Sequence, residues 1–135
     1  MKTIYLIILL LFGLVSCSYE TVKEKQESLP DFDNIHVERI AGDSLSTNFI
    51  IWVKDTVKTH KHEHHSETVY IIDGEAEMYL GEDSFSIMTG DIIFIPKNTW
   101  HAVKVRSKNP LKVLSVQAPG FYGKDRVFLN EESNY

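Results

Sequence analysis

The sequence has little that could cross-link it, span a membrane or bind nucleic acid. Its single cysteine, Cys17, excludes a disulfide within the chain. The formal charge is −5 and no basic stripe alternates with aromatic residues, so nucleic acid is not an expected partner. The longest apolar run, residues 4–15, would cover only about 18 Å as a helix, against the roughly 30 Å core of a bilayer. The 135 residues leave room for one globular domain.

The apolar run has the layout of a secretory signal peptide. Lys2 supplies a positive start, the run follows, and Leu14-Val15-Ser16-Cys17 closes it. These four residues resemble the lipobox of bacterial lipoproteins. The resemblance implies that residues 1–16 are removed, that Cys17 is acylated, and that its lipid anchors the protein to a bacterial membrane outside the cytoplasm. Ser18 in place of aspartate implies the outer membrane. An ordinary signal peptide beside a chance cysteine is the alternative.

The segment after the cysteine is polar and shows no sustained apolar period. We therefore interpret residues 17–34 as a lipidated N-terminus and a flexible tether. A short amphipathic helix packed on the domain is the alternative. From residue 35 to residue 135 the pattern changes to short β-rich segments, which we assign to the folded domain.

Segments rich in β-branched and aromatic residues recur at roughly ten-residue spacing in this domain. They are residues 47–53, 68–72, 76–80, 85–87, 92–95, 102–105 and 111–116. Asp73-Gly74 is a strong hairpin signal, because glycine adopts positive φ at little cost. About eight strands without a convincing amphipathic helix predict an all-β sandwich or barrel.

Four of the six histidines lie between residues 60 and 65, close to a glutamate. His60 and His62 are two residues apart, which on a strand points both rings to the same face. Glu67 follows across a short turn, and His101, at the start of a later strand, is the obvious fourth ligand. Imidazoles and a carboxylate that converge on one point form a typical site for a first-row divalent ion. The sequence therefore predicts a metal site.

The spacing of these residues resembles the two motifs of the cupin superfamily. The matching positions are His60, His62, Glu67 and Gly74 in the first motif, and Gly90, Pro96 and His101 in the second. Lys54, Asn98 and Val105 depart from the motifs, but none of them replaces a ligand. Asn98 stands where a turn glycine is usual, and asparagine also enters the left-handed region. The resemblance implies an all-β fold, a single double-stranded β-helix or jelly-roll barrel.

The resemblance also implies the cofactor and the remaining histidines' roles. One divalent transition metal ion (Fe, Mn, Zn, Ni, Cu or Co) is expected on the four ligands, with one or two coordination positions open. A solvated histidine-rich loop that binds metal adventitiously is the alternative, but it does not explain the position of His101. His64 and His65 are expected at the rim or in the turn. His36 lies outside both motifs and is expected in a surface or packing role.

An open coordination position lets a metal ion bind an oxygen donor, acidify water or bind dioxygen. We therefore expect a metalloenzyme acting on a small molecule, of dioxygenase, isomerase or lyase type, in which Glu67 is also the candidate catalytic base. The alternative is a module that binds or senses a small molecule or sugar without turnover. Cupins do both, so the fold resemblance does not choose between them.

Strand alternation predicts which side chains face the pocket. The expected inward residues are Val69, Ile71, Met78, Phe85, Val103 and Val105, with Trp52 or Trp100 at the opening. Parity places Tyr70 and Glu77 on the opposite face, whereas Gln117 stays a polar candidate for the pocket. Residues 119–129 are expected to form a final strand or a dimer contact rather than a flap. Exposed aromatic residues leave a homodimer open.

Overall fold

The computed structural model describes residues 29–129. The predicted signal peptide, Cys17 and most of the predicted tether lie outside the described residues. Within residues 29–129, no helix is long and apolar enough to cross a membrane. The described residues form ten strands: β1 (Ile35–Gly42), β2 (Thr47–Val53), β3 (Thr56–His62), β4 (Ser66–Asp73), β5 (Glu75–Leu80), β6 (Asp83–Met88), β7 (Ile92–Ile95), β8 (His101–Val105), β9 (Leu111–Ala118) and β10 (Arg126–Phe128).

The strands form two five-stranded sheets. The first sheet has the order β1-β2-β9-β4-β7, and the second has the order β10-β3-β8-β5-β6. Every hydrogen-bonded pair is antiparallel. Most neighbours within a sheet are distant in sequence, because the chain passes repeatedly from one sheet to the other. This two-sheet, all-β double-stranded β-helix confirms the predicted fold class.

Two turns have the backbone that their residues favour. Gly74, between β4 and β5, has a φ of 99°, and a Cβ there would lie 2.9 Å from the Ser107 hydroxyl oxygen. Asn98 has a φ of 62°, in the left-handed region that asparagine tolerates. Its N–H donates to the carbonyl oxygen of His62 at 2.6 Å. The asparagine is therefore compatible with the turn, as predicted, and links the second motif to the strand of the first.

The core lies between the two sheets. Its buried members are Val53, Ile71, Ala76, Met78, Ile87, Ile93, Ile95, Val105, Leu111 and Val113. In β9 burial alternates from Leu111 to Gln117, as expected for a strand with one face inward. The inward face is apolar at one end of this strand and polar at the other, where Ser115 and Gln117 lie. The polar end belongs to the histidine site.

Most of the predicted inward residues do face the interior, but Phe85 does not line it. Phe85 is 39% exposed because β6 is the edge strand of the second sheet, so no further strand covers its side chain. Ile87, two residues later, is buried in the core instead. The predicted tryptophans are also absent from the lining that the described residues provide. Trp52 packs on the His36 ring, and Lys61 lies over the Trp100 ring.

The two edge strands β1 and β10 had weak sequence signals. β1 carries charged residues on an edge of the first sheet, and β10 has only three residues. β10 pairs with β3, which confirms the predicted final strand within residues 119–129. Just before β1, the Asn34 side chain donates to the Thr56 carbonyl oxygen at 2.7 Å and accepts from the Asp55 N–H at 2.9 Å. The end of the predicted tether is thus hydrogen-bonded to the domain.

Candidate metal centre

Three histidine rings meet at one end of the sheet interior. His60 and His62 lie two residues apart on β3, and His101 begins β8, the neighbouring strand. The register pairs His60 directly with His101, and their ring centroids are 4.1 Å apart. The His62 ring lies 5.1 Å from His60 and 5.3 Å from His101. One nitrogen from each ring lies within 4.8 Å of the other two, and all three side chains are buried.

Backbone hydrogen bonds orient two of these rings. Nδ1 of His60 lies 2.8 Å from the Lys58 carbonyl oxygen, and Nδ1 of His101 lies 2.9 Å from that of Thr99. A carbonyl oxygen only accepts, so each Nδ1 carries the hydrogen and each Nε2 keeps its lone pair. Nε2 of His62 and Nε2 of His101 are buried without a hydrogen-bond partner among the described residues. Unpartnered buried acceptors of this kind are the atoms that bind metal ions.

Glu67 approaches the same point from the opposite sheet. It is the second residue of β4, and its Oε2 lies 3.4 Å from Nε2 of His62 and 3.7 Å from Nε2 of His101. Its other oxygen, Oε1, accepts a hydrogen bond from the Ser115 hydroxyl on β9. The sequence analysis did not single out Ser115. A serine on an alternating strand has no distinctive signal, and 48 residues separate it from Glu67.

The surroundings set the ionisation state that a metal site requires. Burial, with a smaller contribution from His101, lowers the pKa of His60 to about 3. Burial also lowers the pKa of His101. Burial alone would raise the pKa of Glu67, but the neighbouring His62 ring and the hydrogen bond from Ser115 outweigh it and lower this pKa to about 2. His60 and His101 are therefore neutral and Glu67 is ionised near pH 7.

These residues fit a divalent transition metal ion. Neutral imidazoles with free Nε2 atoms suit Fe, Mn, Ni, Cu, Zn or Co, and one carboxylate partly offsets the charge of the ion. The buried triad of His60, His62 and His101 is consistent with such a site. Glu67 lies within reach of the same centre by its distances to His62 and His101. As a carboxylate with a pKa of about 2 it is a weak proton acceptor, which suits a ligand better than a general base.

His65 does not have the rim position that the sequence analysis expected. Its side chain is only 2% exposed, and its Nδ1 lies 2.6 Å from Oδ2 of Asp125. The His65 and His62 rings lie 4.2 Å apart. His65 has the other expected position, in the turn between β3 and β4, and this turn is buried because residues 119–129 fold over it, a tertiary contact with no local signal. For His64, which is 77% exposed, the prediction is confirmed.

Asp125 is a second residue that the sequence analysis missed. Its Oδ1 accepts the N–H groups of Glu63 and His64, at 3.0 and 2.8 Å. Its Oδ2 lies 3.9 Å from Nδ1 of His62, the ring nitrogen that faces away from Glu67. Whereas backbone carbonyls lie behind His60 and His101, a carboxylate lies behind His62. At 3.9 Å the two atoms are beyond hydrogen-bond distance, so the carboxylate acts on His62 through its negative charge.

The interior next to the histidines holds a cavity of about 80 Å³. Its lining includes His60, Glu67 and His101, together with Arg126 from β10, and is otherwise aliphatic or methionine. Arg126 pairs with His62 across β3 and β10, so the two side chains share the inner face. Gln117 is buried beside Glu67, its partner in the β4–β9 register. His36 packs between the rings of Phe32 and Trp52, in the packing role that was expected.

The family model for the cupin domain matches residues 48–117, more than half of the chain. The chain belongs to the cupin family. Its cupin segment contains all four predicted ligands and both motifs. An uncharacterized protein of Aquifex aeolicus is 29% identical to this cupin over 108 residues, which are 80% of this chain and 86% of that protein.

This cupin is also similar to a bacterial dioxygenase in sequence and to a solved structure in fold. It is 31% identical to quercetin 2,3-dioxygenase of Bacillus subtilis over 68 residues, half of this chain but only 20% of that enzyme. The structure of KdgF from Halomonas sp. superposes with a TM-score of 0.66 at 17% identity, covering 74% of this chain and 94% of KdgF. The structural likeness shows the shared fold, and neither similarity transfers an activity.

Proposed function

We propose that this cupin is a small-molecule metalloenzyme in which His60, His62, Glu67 and His101 bind one divalent transition metal ion. The observation that carries the proposal is the convergence of three buried imidazoles. In two of them Nδ1 is hydrogen-bonded to a backbone carbonyl oxygen, which turns Nε2 inward. A solvated histidine-rich loop would have neither this burial nor this orientation. The relation to quercetin 2,3-dioxygenase supports an enzyme of dioxygenase, isomerase or lyase type.

The roles of the chain's own residues follow from their contacts. When bound, the ion would supply a Lewis acid with open positions for an oxygen donor. The two backbone-anchored histidines hold their Nε2 atoms in fixed directions, and Ser115 holds Oε1 of Glu67 so that Oε2 faces the histidines. The aliphatic lining excludes water from the centre, which strengthens electrostatic interactions there. With its low pKa, Glu67 acts in this proposal as a metal ligand rather than as a general base.

The second candidate function is a module that binds a small molecule without turnover. It is favoured by the scarcity of proton-transfer groups, because among residues 29–129 the only titratable lining residue besides three predicted ligands is Arg126. To test the proposal, the protein is purified without chelator and its metal content is measured by elemental analysis. One equivalent of metal, with metal-dependent oxygen consumption or turnover of a metabolite pool, would support the enzyme. Metal with ligand retention alone would support the binding module, and metal-free folded protein would refute both.

Asp125 is expected to strengthen metal binding from behind His62. In Asp125→Asn the remaining amide oxygen can still accept the Glu63 and His64 N–H groups, but the negative charge beside His62 and His65 is lost. We expect metal affinity to fall by up to about 10-fold, at the low end of the 10- to 100-fold cost of losing a hydrogen-bonded partner, because the two atoms are 3.9 Å apart. Affinity is measured by competition with a chelator of known strength.

The matched control for Asp125 is Lys124→Ala, a change at the neighbouring exposed position. It should leave metal affinity unchanged. Urea unfolding of the metal-free Asp125→Asn protein separates a folding defect from a binding defect, because the amide retains the backbone contacts. Equal metal affinities for Asp125→Asn and the wild type would show that the carboxylate does not act on His62.

We also propose that the cupin domain is held at a bacterial membrane outside the cytoplasm, in the outer membrane, by a lipid on Cys17. The proposal rests on the lipobox-like residues at 14–17 and on the polar segment that follows them. Cells expressing the full chain are labelled with a fatty-acid analogue and fractionated. We expect the wild type to carry the label and to stay in the membrane fraction. Cys17→Ala should carry no label and should be released from the membrane fraction. An unlabelled wild-type protein in the soluble fraction would refute the anchor.

A further inference from the structure

The cavity beside the predicted metal centre differs in character from a sugar-binding site. Fourteen of its lining residues are Val, Ile, Leu or Met, and the other four are His60, Glu67, His101 and Arg126. Within the described residues the lining includes no serine, threonine, asparagine, glutamine or tyrosine. A polyhydroxylated ligand would leave hydroxyl groups without partners here, and each unpartnered buried hydroxyl is costly. The lining therefore selects for a ligand with an apolar body.

The charged residues of the lining select for an anionic head group. A divalent ion on one carboxylate and three neutral imidazoles would leave one net positive charge, and the Arg126 guanidinium adds a second. Arg126 forms no ion pair with another of the residues 29–129. Its planar fork suits a carboxylate. The cavity thus combines an apolar interior with one positively charged end.

Lining residues on the two edge strands β1 and β10 reach solvent. Ile35 and Val37 of β1 belong to the lining but are 38% and 47% exposed, and Arg126 of β10 is also exposed. Lining residues that reach solvent mark the opening of the cavity. The volume of about 80 Å³ corresponds to about six water molecules at roughly 10–15 Å³ each. A ligand of that size has only a few carbon atoms beyond its head group.

We propose that this cupin binds a short aliphatic carboxylate, with the carboxylate between Arg126 and the predicted metal centre and the hydrocarbon tail among the aliphatic residues of the cavity. This inference rests on the proposed function and specifies its substrate class. It makes Arg126 the residue that selects the anionic head group, while the aliphatic lining rejects sugars and sugar acids.

The test compares three probes on the metal-loaded full-length protein by calorimetry and thermal unfolding. Butyrate has the proposed charge and tail, 1-butanol has a similar tail without charge, and glucuronate has the charge on a polyhydroxylated body. We expect butyrate to bind and raise the melting temperature, and 1-butanol and glucuronate to bind at least tenfold more weakly. The proposal would be overturned if either glucuronate or 1-butanol bound as tightly as butyrate.

Substitution of Arg126 tests the head-group contact. Arg126→Met keeps the stem and removes the charge, so butyrate affinity should fall by about tenfold to a hundredfold, as expected for loss of a hydrogen bond between charged groups. Arg126→Lys keeps the charge, so its butyrate affinity should fall less than that of Arg126→Met. Metal content should be the same in all three proteins. Unchanged butyrate affinity in Arg126→Met would overturn the proposed role, whereas wild-type protein without metal would refute the proposed function itself.

Discussion

Replacing His101 with alanine is expected to remove most of the bound metal. The wild type should carry about one equivalent after purification without chelator, and His101→Ala less than a tenth of that. The physical reason is the loss of one buried Nε2 that has no other partner among the described residues. Loss of a direct ligand should exceed the 10- to 100-fold cost of losing a residue behind a ligand, so affinity should fall by about 100-fold or more. Elemental analysis and chelator competition measure both quantities.

Two further variants make this result specific. His64→Ala removes an exposed histidine from the same histidine-rich segment and should keep the full metal content. His101→Asn retains a side-chain donor for the Thr99 carbonyl oxygen while it removes the Nε2 ligand, so it should fold and still lose metal. Equal metal loss in His64→Ala and His101→Ala would indicate adventitious binding to a solvated loop. Full metal retention in His101→Asn would exclude the proposed site.

The metal-free protein is expected to lose stability steeply as the pH falls below about 6.5. His60 has a pKa of about 3 in the folded protein, against 6.5 when exposed, so between these values the unfolded chain binds a proton that the folded chain does not. The contribution of the neutral His60 ring to the free energy of unfolding is complete above pH 6.5 and is lost as the pH falls toward 3. At 1.36 kcal/mol for each pKa unit, His60 alone would remove on the order of 5 kcal/mol.

Other buried groups increase this acid sensitivity. Burial lowers the pKa of His101 and of His65, so both contribute in the same direction below pH 6.5. Glu67, with a pKa of about 2 against 4.5, contributes stability above pH 4.5 that is lost as the pH falls toward 2. A typical domain has only 5–15 kcal/mol of stability, so we expect the metal-free protein to unfold in mild acid.

Urea unfolding of the metal-free protein at pH 7, 6, 5 and 4, followed by tryptophan fluorescence, measures this dependence. His60→Asn keeps a donor for the Lys58 carbonyl oxygen and removes the titrating ring, so its free energy of unfolding should depend less steeply on pH. His64→Ala, at an exposed position, should match the wild-type slope. A free energy of unfolding that is constant from pH 7 to pH 4 would contradict the buried neutral histidines.

The ligand cluster was largely predictable because local geometry determines it. The spacing of His60 and His62 places both rings on one strand face, and this holds wherever the strand lies. The position of His101 was a prediction from the second motif, and the β3–β8 register then pairs it with His60. Turn residues were predictable for the same local reason, since Gly74 and Asn98 adopt the positive φ that their side chains permit. The Phe85 prediction was wrong because alternation does not reveal which strand is at an edge.

By itself, the sequence determined the β-strand character, the two motifs, and the residue types that can bind a metal ion. These depend on periods of two residues and on turn chemistry, which act over short stretches of chain. Only the tertiary structure decided that Ser115 holds Glu67, that Asp125 lies behind His62 and buries His65, and that Arg126 lines an aliphatic cavity. These contacts join residues about 50 to 60 positions apart, and sheet order and register, which no local pattern encodes, bring them together.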